Sequence, residues 1–301
     1  MGHEVAGAQE LTAAAPRNRG SLSAFFATKR RTRLAILLSA PMLWLVVAYL
    51  GSLGVMFVSA LWTTDSFTGN VVKTVSGDNL HAVYTSPVYW RVAWRTVEAA
   101  IAVTVIDAII ALPVAFYMSK IASRRTRLFM VVAVLTPLWA SYLVKAYAWR
   151  TLLAPDGPVS WAFAGHTPGY GFTATVITLA YLWLPFMVLP VFAGFERLPN
   201  GLLEASSDLG ARPLRTIRSV VLPMVFPAVA AGSIFTFSLT LGDYIAVGIV
   251  GGKTQFLANV IYGQLITANN QPLAAALATM PLIAIVLYLL AMRRTGALEN
   301  V

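Results

Sequence analysis

Long apolar runs, broken by short polar segments rich in Lys and Arg, set the pattern of this chain. Six windows hold about twenty or more mostly apolar residues, the length a helix needs to cross the hydrocarbon core of a bilayer: 34–61, 96–119, 128–149, 173–195, 223–250 and 273–292. The last, LAAALATMPLIAIVLYLLAM, contains no charge. A membrane β-barrel would instead alternate apolar and polar positions in segments of about ten residues, so the pattern predicts helices. The first run is longer than the 7–15-residue core of a cleavable signal and follows about thirty polar residues, so it is expected to be a retained span. Residues 1–33 are expected to form an N-terminal tail and 293–301 a C-terminal one, with 34–292 as the transmembrane domain. Residues 1–28 carry no apolar periodicity and are expected to be mobile.

Composition points the same way. The 301 residues are 58% hydrophobic and 11% charged, with a mean hydropathy of +0.71, whereas soluble domains carry roughly 25% charged residues. Disorder, which needs low hydrophobicity, is excluded. With no cysteine and only His3, His81 and His166, thiolate chemistry and a histidine metal cluster are not expected.

The net charge of +10 is explained by topology. With the N-terminus inside, 16 of the 22 Lys and Arg residues fall in inner segments, among them Arg30, Arg31, Lys120, Arg124, Arg127, Arg197, Arg212, Arg215, Arg218 and Arg293. Lys73, Arg91, Arg95, Lys145, Arg150 and Lys253 fall on the outer side. This positive-inside bias places both termini in the cytoplasm, and its dispersal over short loops argues against nucleic acid as a partner. The longest outer loop is expected over 62–95, with short interfacial helices between Asp78 and Trp90. Trp62, Trp90, Trp94, Trp149 and Trp161 lie near the expected boundaries, where indoles favour the lipid headgroups.

Two motifs lead nowhere. Gly251-Gly252-Lys253-Thr254 resembles the end of a phosphate-binding loop, but the first glycine of that pattern is replaced by Val247. Gly232-Ser233 and similar small pairs read as close helix packing. No nucleophile–base constellation is present, so the chain is not expected to be an enzyme.

Residues 196–222 carry more information. Leu202, Ala205, Ser206 and Leu209 recur at spacings of three to four and predict a short helix with a narrow small/apolar stripe. Gly210 is expected to stop it in the left-handed conformation at C′, and Pro213 to open a second helix. Glu204-Ala205-Ser206, Gly210 six residues after the glutamate, and Val220-x-Leu222-Pro223 together resemble the signature of ABC-importer permeases. That signature reads Glu-Ala-Ala, three residues, Gly, nine residues, Ile-x-Leu-Pro; Ser206 and Val220 are the departures. Asp78-Asn79-Leu80 with Tyr84, Pro113-Val114-Ala115-Phe116, Pro137-Leu138-Trp139, Leu184-Pro185-Phe186-Met187, Leu203-Glu204-Ala205, and Leu241-Gly242-Asp243-Tyr244 with Gly251-Gly252 extend the likeness to the spermidine/putrescine-type permeases over about 34–292.

The resemblance implies an all-α, six-span subunit of the type I ABC-importer permease kind in a bacterial inner (plasma) membrane. It implies a second permease subunit (a paralogue), two ABC ATPase subunits that hold ATP and Mg, and an extracytoplasmic substrate-binding protein. This chain itself would bind no cofactor, and its remaining partner is membrane lipid. By resemblance, Leu202, Glu204, Ala205, Ser206, Asp208, Leu209 and Gly210 form the coupling surface against the ATPase. Substrate-path candidates follow from the cost of burying charge in a bilayer: Asp243 and Tyr244 beside Gly242, Asp107, and the aromatic residues Trp183 and Tyr147. For Asp107 the plain expectation is a hydrogen bond to a neighbouring helix. Acid–aromatic pairs suit a polyamine through ion pairing and cation–π attraction. Opines, amino-acid derivatives or an inorganic ion remain as alternative substrates, and an ion-coupled secondary transporter as an alternative class.

Overall fold

The computed structural model describes residues 30–65 and 68–293, with side chains from residue 38 onward. The expected terminal tails, apart from residues 30–33 and 293, lie outside the described residues. The chain divides into two compact units, one ending at Val55 and the other beginning at Met56.

Helix α1 (Arg30–Ala60) supplies the described part of the first unit up to Val55, and there it exposes every side chain from Leu38 to Ser52. An apolar helix without a polar face has hydrocarbon as its natural solvent. In the second unit a small hairpin pairs β1 (Thr63–Thr64) with β2 (Val71–Val72), Thr63 opposite Val72. Helix α2 (Asp78–Thr85) leads to α3 (Pro87–Phe116), which ends in a π turn, Tyr117–Ile121. The span expected over 96–119 is thus part of a longer helix, and Trp90 and Trp94 sit on its first turns rather than in a loop. Pro87 explains the early start: at the first helical position it costs no hydrogen bond and presets φ.

Next come α4 (Arg124–Trp139), α5 (Tyr142–Leu152), α6 (Pro158–Ala162), α7 (Phe172–Glu196), α8 (Asn200–Asp208) and α9 (Pro213–Thr216). A π turn, Ile217–Val221, joins α9 to α10 (Leu222–Gly242); then follow α11 (Ile245–Val250), α12 (Leu257–Tyr262) with its π turn Gly263–Thr267, and α13 (Gln271–Arg293). Among the described residues five helices are long and apolar enough to cross a membrane, or six if α4 and α5, bent against each other, are counted as one span.

Helices α3, α7 and α10 make the core. Ala111, Ala115, Met118, Met187, Val188, Val191, Phe195 and Val225 form one buried cluster, and Ala99, Val103, Val176, Leu179 and Leu182 another. The alanines let backbones approach closely, the usual basis of helix association in lipid. Gly232 is the clearest case: a Cβ there would lie 2.7 Å from Met187 Sδ and 3.2 Å from Met187 Cα.

Two expected spans are interrupted. Between α4 and α5 the chain turns by 97° inside the stretch expected as one span, 128–149. Ala140 is extended and Ser141 non-helical, and Pro137 has no N–H to continue the α4 ladder. Lys145 Nζ then donates to Pro137 O at 2.9 Å, satisfying one carbonyl freed at the end of α4. The span expected over 223–250 stops at Gly242, runs extended at Asp243, and resumes as α11.

Candidate coupling surface and substrate path

Helix α8 begins after Pro199 and ends in a Schellman motif. Gly210 has φ +73°; its N–H donates to Ser207 O at 2.8 Å and that of Ala211 to Ser206 O at 3.1 Å, the paired bonds that close a helix at a left-handed C′ residue. Nothing lies within 4 Å of a Cβ built on Gly210. Glycine is therefore demanded there by backbone conformation, not by space.

Pro213 then opens α9 at its first position, and Ser206 Oγ lies 2.8 Å from Thr216 Oγ1, joining the two helices across the turn. This sorts the expected stripe into two faces. Leu202 (41% exposed), Glu204, Ala205, Asp208 and Leu209 (88%) face outward. Ser206 turns inward to Thr216, while Leu203 packs against the core cluster of Met187, Val191 and Phe195. Leu214 on α9, 76% exposed, extends the uncovered apolar surface. Sequence spacing singled out Ser206 for close approach, but the structure engages its hydroxyl within the turn.

The substrate-path candidates are dispersed. Asp243 sits at the α10–α11 break, buried, and both oxygens are occupied. Oδ1 accepts the N–H of Ala246 at 2.9 Å, which caps α11, and Oδ2 accepts the Tyr142 hydroxyl. Tyr142 stacks on Trp183 with ring centroids 5.9 Å apart, and Trp183 leans on Phe186 at 6.0 Å. Asp243 and Trp183 thus meet through a residue the sequence reading passed over. The available signal was Ser141, an N-cap residue type inside an apolar run, which announces a new helix start.

Tyr244 stacks on Tyr262 at 4.7 Å with rings 15° apart, and its carbonyl accepts Asn259 Nδ2 at 2.7 Å. Tyr262 and Asn259 are further members without a sequence signal. Tyr147 stands apart, exposed on α5.

Asp107 corrects an expectation. It is fully buried on α3, yet neither carboxyl oxygen has a hydrogen-bond partner among the described residues. The nearest hydroxyl along its helix face is spent elsewhere: Thr104 donates to Ala100 O at 2.7 Å and accepts from Thr236 at 3.2 Å. The expected bond to a neighbouring helix is not made.

Comparison with known proteins supplies the context for this architecture. A family described as "Binding-protein-dependent transport system inner membrane component" matches residues 99–294. The inner membrane ABC transporter permease protein YdcU of Escherichia coli (strain K12) is 42% identical over 298 residues, covering 93% of this chain and 95% of that protein. The spermidine/putrescine transport system permease protein PotB of the same organism is 28% identical over 266 residues, covering 85% and 95%. Among solved structures, a chain of a bacterial alginate ABC transporter in complex with an alginate pentasaccharide-bound periplasmic protein has a TM-score of 0.66 at 16% identity, covering 90% and 96%. A chain of the MetNI methionine ABC transporter, in inward-facing conformations, has a TM-score of 0.55 at 21% identity, covering 70% and 96%. At these identities the shared property is the fold. With five to six apolar helices among the described residues and the family match over most of its helical core, the chain belongs to the inner-membrane components of binding-protein-dependent transport systems, as a multi-pass permease subunit of an ABC importer.

Proposed function

We propose that this permease moves polyamines of the putrescine/spermidine class by alternating access, driven by ATP hydrolysis in separate subunits. Its similarity to spermidine/putrescine permeases along most of its length supports that substrate class. So does the stacked, exposed pair Tyr244 and Tyr262, whose ring faces attract a cation.

The chain performs no chemistry itself and binds no cofactor. Two ATPase subunits carry ATP and Mg, a second permease, a paralogue, completes the pathway, and an extracytoplasmic binding protein delivers substrate. Both termini face the cytoplasm, which puts α8 on the ATPase side. The observation that carries the coupling role is the short, exposed helix α8, closed by Gly210 and presenting Leu202, Ala205 and Leu209 to a partner. On this reading Glu204 and Asp208 rim that apolar surface, and Gly210 sets the angle at which it is offered.

Uptake of labelled putrescine and spermidine, in cells with and without the chain and lacking other polyamine importers, tests the proposal. Loss of uptake on deletion is the expected result. Unchanged uptake overturns the substrate class and turns the search to opines, amino-acid derivatives or inorganic ions.

A further inference from the structure

Where the spans end near α8, several backbone carbonyls are left without helix partners, and two basic side chains collect them. Helix α3 finishes in the π turn Tyr117–Ile121. Arg127, in the first turn of α4, reaches back to this turn: Nε donates to Met118 O and Nη2 to Ser119 O, each at 3.0 Å. Its Nη1 pairs with Glu196 at 3.3 Å, at the end of α7. Lys120 points from the same turn toward the next connection. Its Nζ donates to Leu198 O at 2.6 Å and to Asn200 Oδ1 at 3.0 Å. Leu198 is buried, and Asn200 is the first residue of α8.

A nine-residue helix does not hold itself in water, since isolated helices shorter than about 12 residues are marginal. Helix α8 is held by attachments: Lys120 at its start, Leu203 in the core, and Ser206–Thr216 at its end. The Lys120 attachment differs from the others. It crosses from α3, a principal core helix, to the entry of α8, and it uses charge-assisted bonds, which are stronger than neutral ones. Pro199 lacks an N–H with which to brace that entry.

We propose that Lys120 is a positioning residue of energy coupling. It ties the start of α8 to the inner end of α3, so that displacement of α8 moves the α3–α7–α10 core instead of being absorbed by pivoting at Pro199. This inference rests on the reading of α8 as the ATPase-facing helix.

The chain has no cysteine, so a single reporter introduced as Val144→Cys, at an exposed position on α5, can follow motion of the spans without any transported substrate. In the complete transporter, with cysteine-free partner subunits in proteoliposomes, thiol labelling at position 144 is measured with and without ATP, and hydrolysis is measured in parallel. Lys120→Met should keep ATP hydrolysis while the ATP-dependent change in labelling falls at least about tenfold, the factor carried by either one of the two charge-assisted hydrogen bonds it loses. Lys120→Arg should restore it. Asn200→Ala, which leaves the bond to Leu198 O, should give a smaller loss, and it serves as the test if Lys120→Met does not assemble. An unaltered labelling response in Lys120→Met, or in Asn200→Ala where that variant stands in, overturns the inference. An otherwise unmodified complex that hydrolyses ATP with no change at position 144 overturns the coupling role of α8, and the Lys120 inference with it.

Discussion

The Tyr142 hydroxyl donates to Asp243 across 101 residues of sequence, and so joins the two places where spans are interrupted. Tyr142 is the first residue of α5, just past the 97° bend, and Asp243 is the residue at which α10 gives way to α11. Arg150 of α5 also donates to Ile249 O of α11. The two short helices are thereby bonded at two levels. A carboxylate that looks like a free substrate ligand in the sequence is, in the fold, a helix cap and a fastening.

Tyr142→Phe and Asp243→Asn should therefore be non-additive. Asparagine keeps an oxygen for the Ala246 N–H, so Asp243→Asn should cost less than Asp243→Ala, which leaves that amide uncapped by about 1 kcal/mol. The coupling energy in a Tyr142/Asp243 double-mutant cycle should be about 0.6–1.7 kcal/mol, the range of interhelical polar pairs in membranes. Thermal unfolding of the detergent-solubilised permease measures it, and strictly additive losses would disprove the pairing.

Gly210 is required for its φ of +73°. Gly210→Val should uncouple ATP hydrolysis from uptake, because an L-residue held left-handed costs roughly 1–2 kcal/mol and a β-branched one more. Gly210→Asn should retain most function, since asparagine tolerates that region. Uptake per ATP hydrolysed is the quantity to compare. Normal coupling in an assembled Gly210→Val transporter would remove this role.

Ser206→Ala should leave uptake close to normal and loosen the α8–α9 turn. The 2.8 Å contact to Thr216 is a neutral hydrogen bond worth about 1 kcal/mol, and alanine is what the family signature carries there. Hydrogen exchange at 206–221 should quicken up to about fivefold, while transport stays unchanged. A loss of transport equal to that of Gly210→Val would place Ser206 on the docking face after all.

Gly232→Ala should destabilise the core by about 1–3 kcal/mol, the cost of overpacking a fitted contact. Its new methyl would press on Met187 at 2.7 Å. Met187→Ala empties a buried site and is costly by itself, but it should cost less in the Gly232→Ala background than alone, because part of the room it opens is filled. Thermal unfolding of the single and double variants decides it, and a neutral Gly232→Ala would mean that α7 and α10 can separate freely.

Much of this was legible in the sequence, because bilayer insertion is governed by local quantities: run length, hydropathy and the placement of Lys and Arg. Those alone specify an all-helical chain of six apolar segments, and the twenty-residue signature from Glu204 to Pro223 identifies the family. Gly210 was also readable, since a left-handed C′ position depends only on the helix it ends. The breaks at Ala140–Ser141 and Asp243 were legible only in part. Their local causes, Pro137 and the glycine beside Asp243, are in the sequence, but whether a span bends depends on what receives the freed carbonyls. At the first break Lys145 takes one of them, that of Pro137; the second break is fixed instead by the Asp243 carboxylate, which holds the Ala246 N–H and the Tyr142 hydroxyl. The fate of each polar side chain lay likewise beyond pattern. Asp243 held by Tyr142, Asp107 buried without a bond among the described residues, Ser206 turned inward and Lys120 reaching to Leu198 and Asn200 all depend on groups 10 to 101 residues away or on their absence. Hydrophobic period selects which segments enter the membrane, but only packing determines which polar atoms meet inside it.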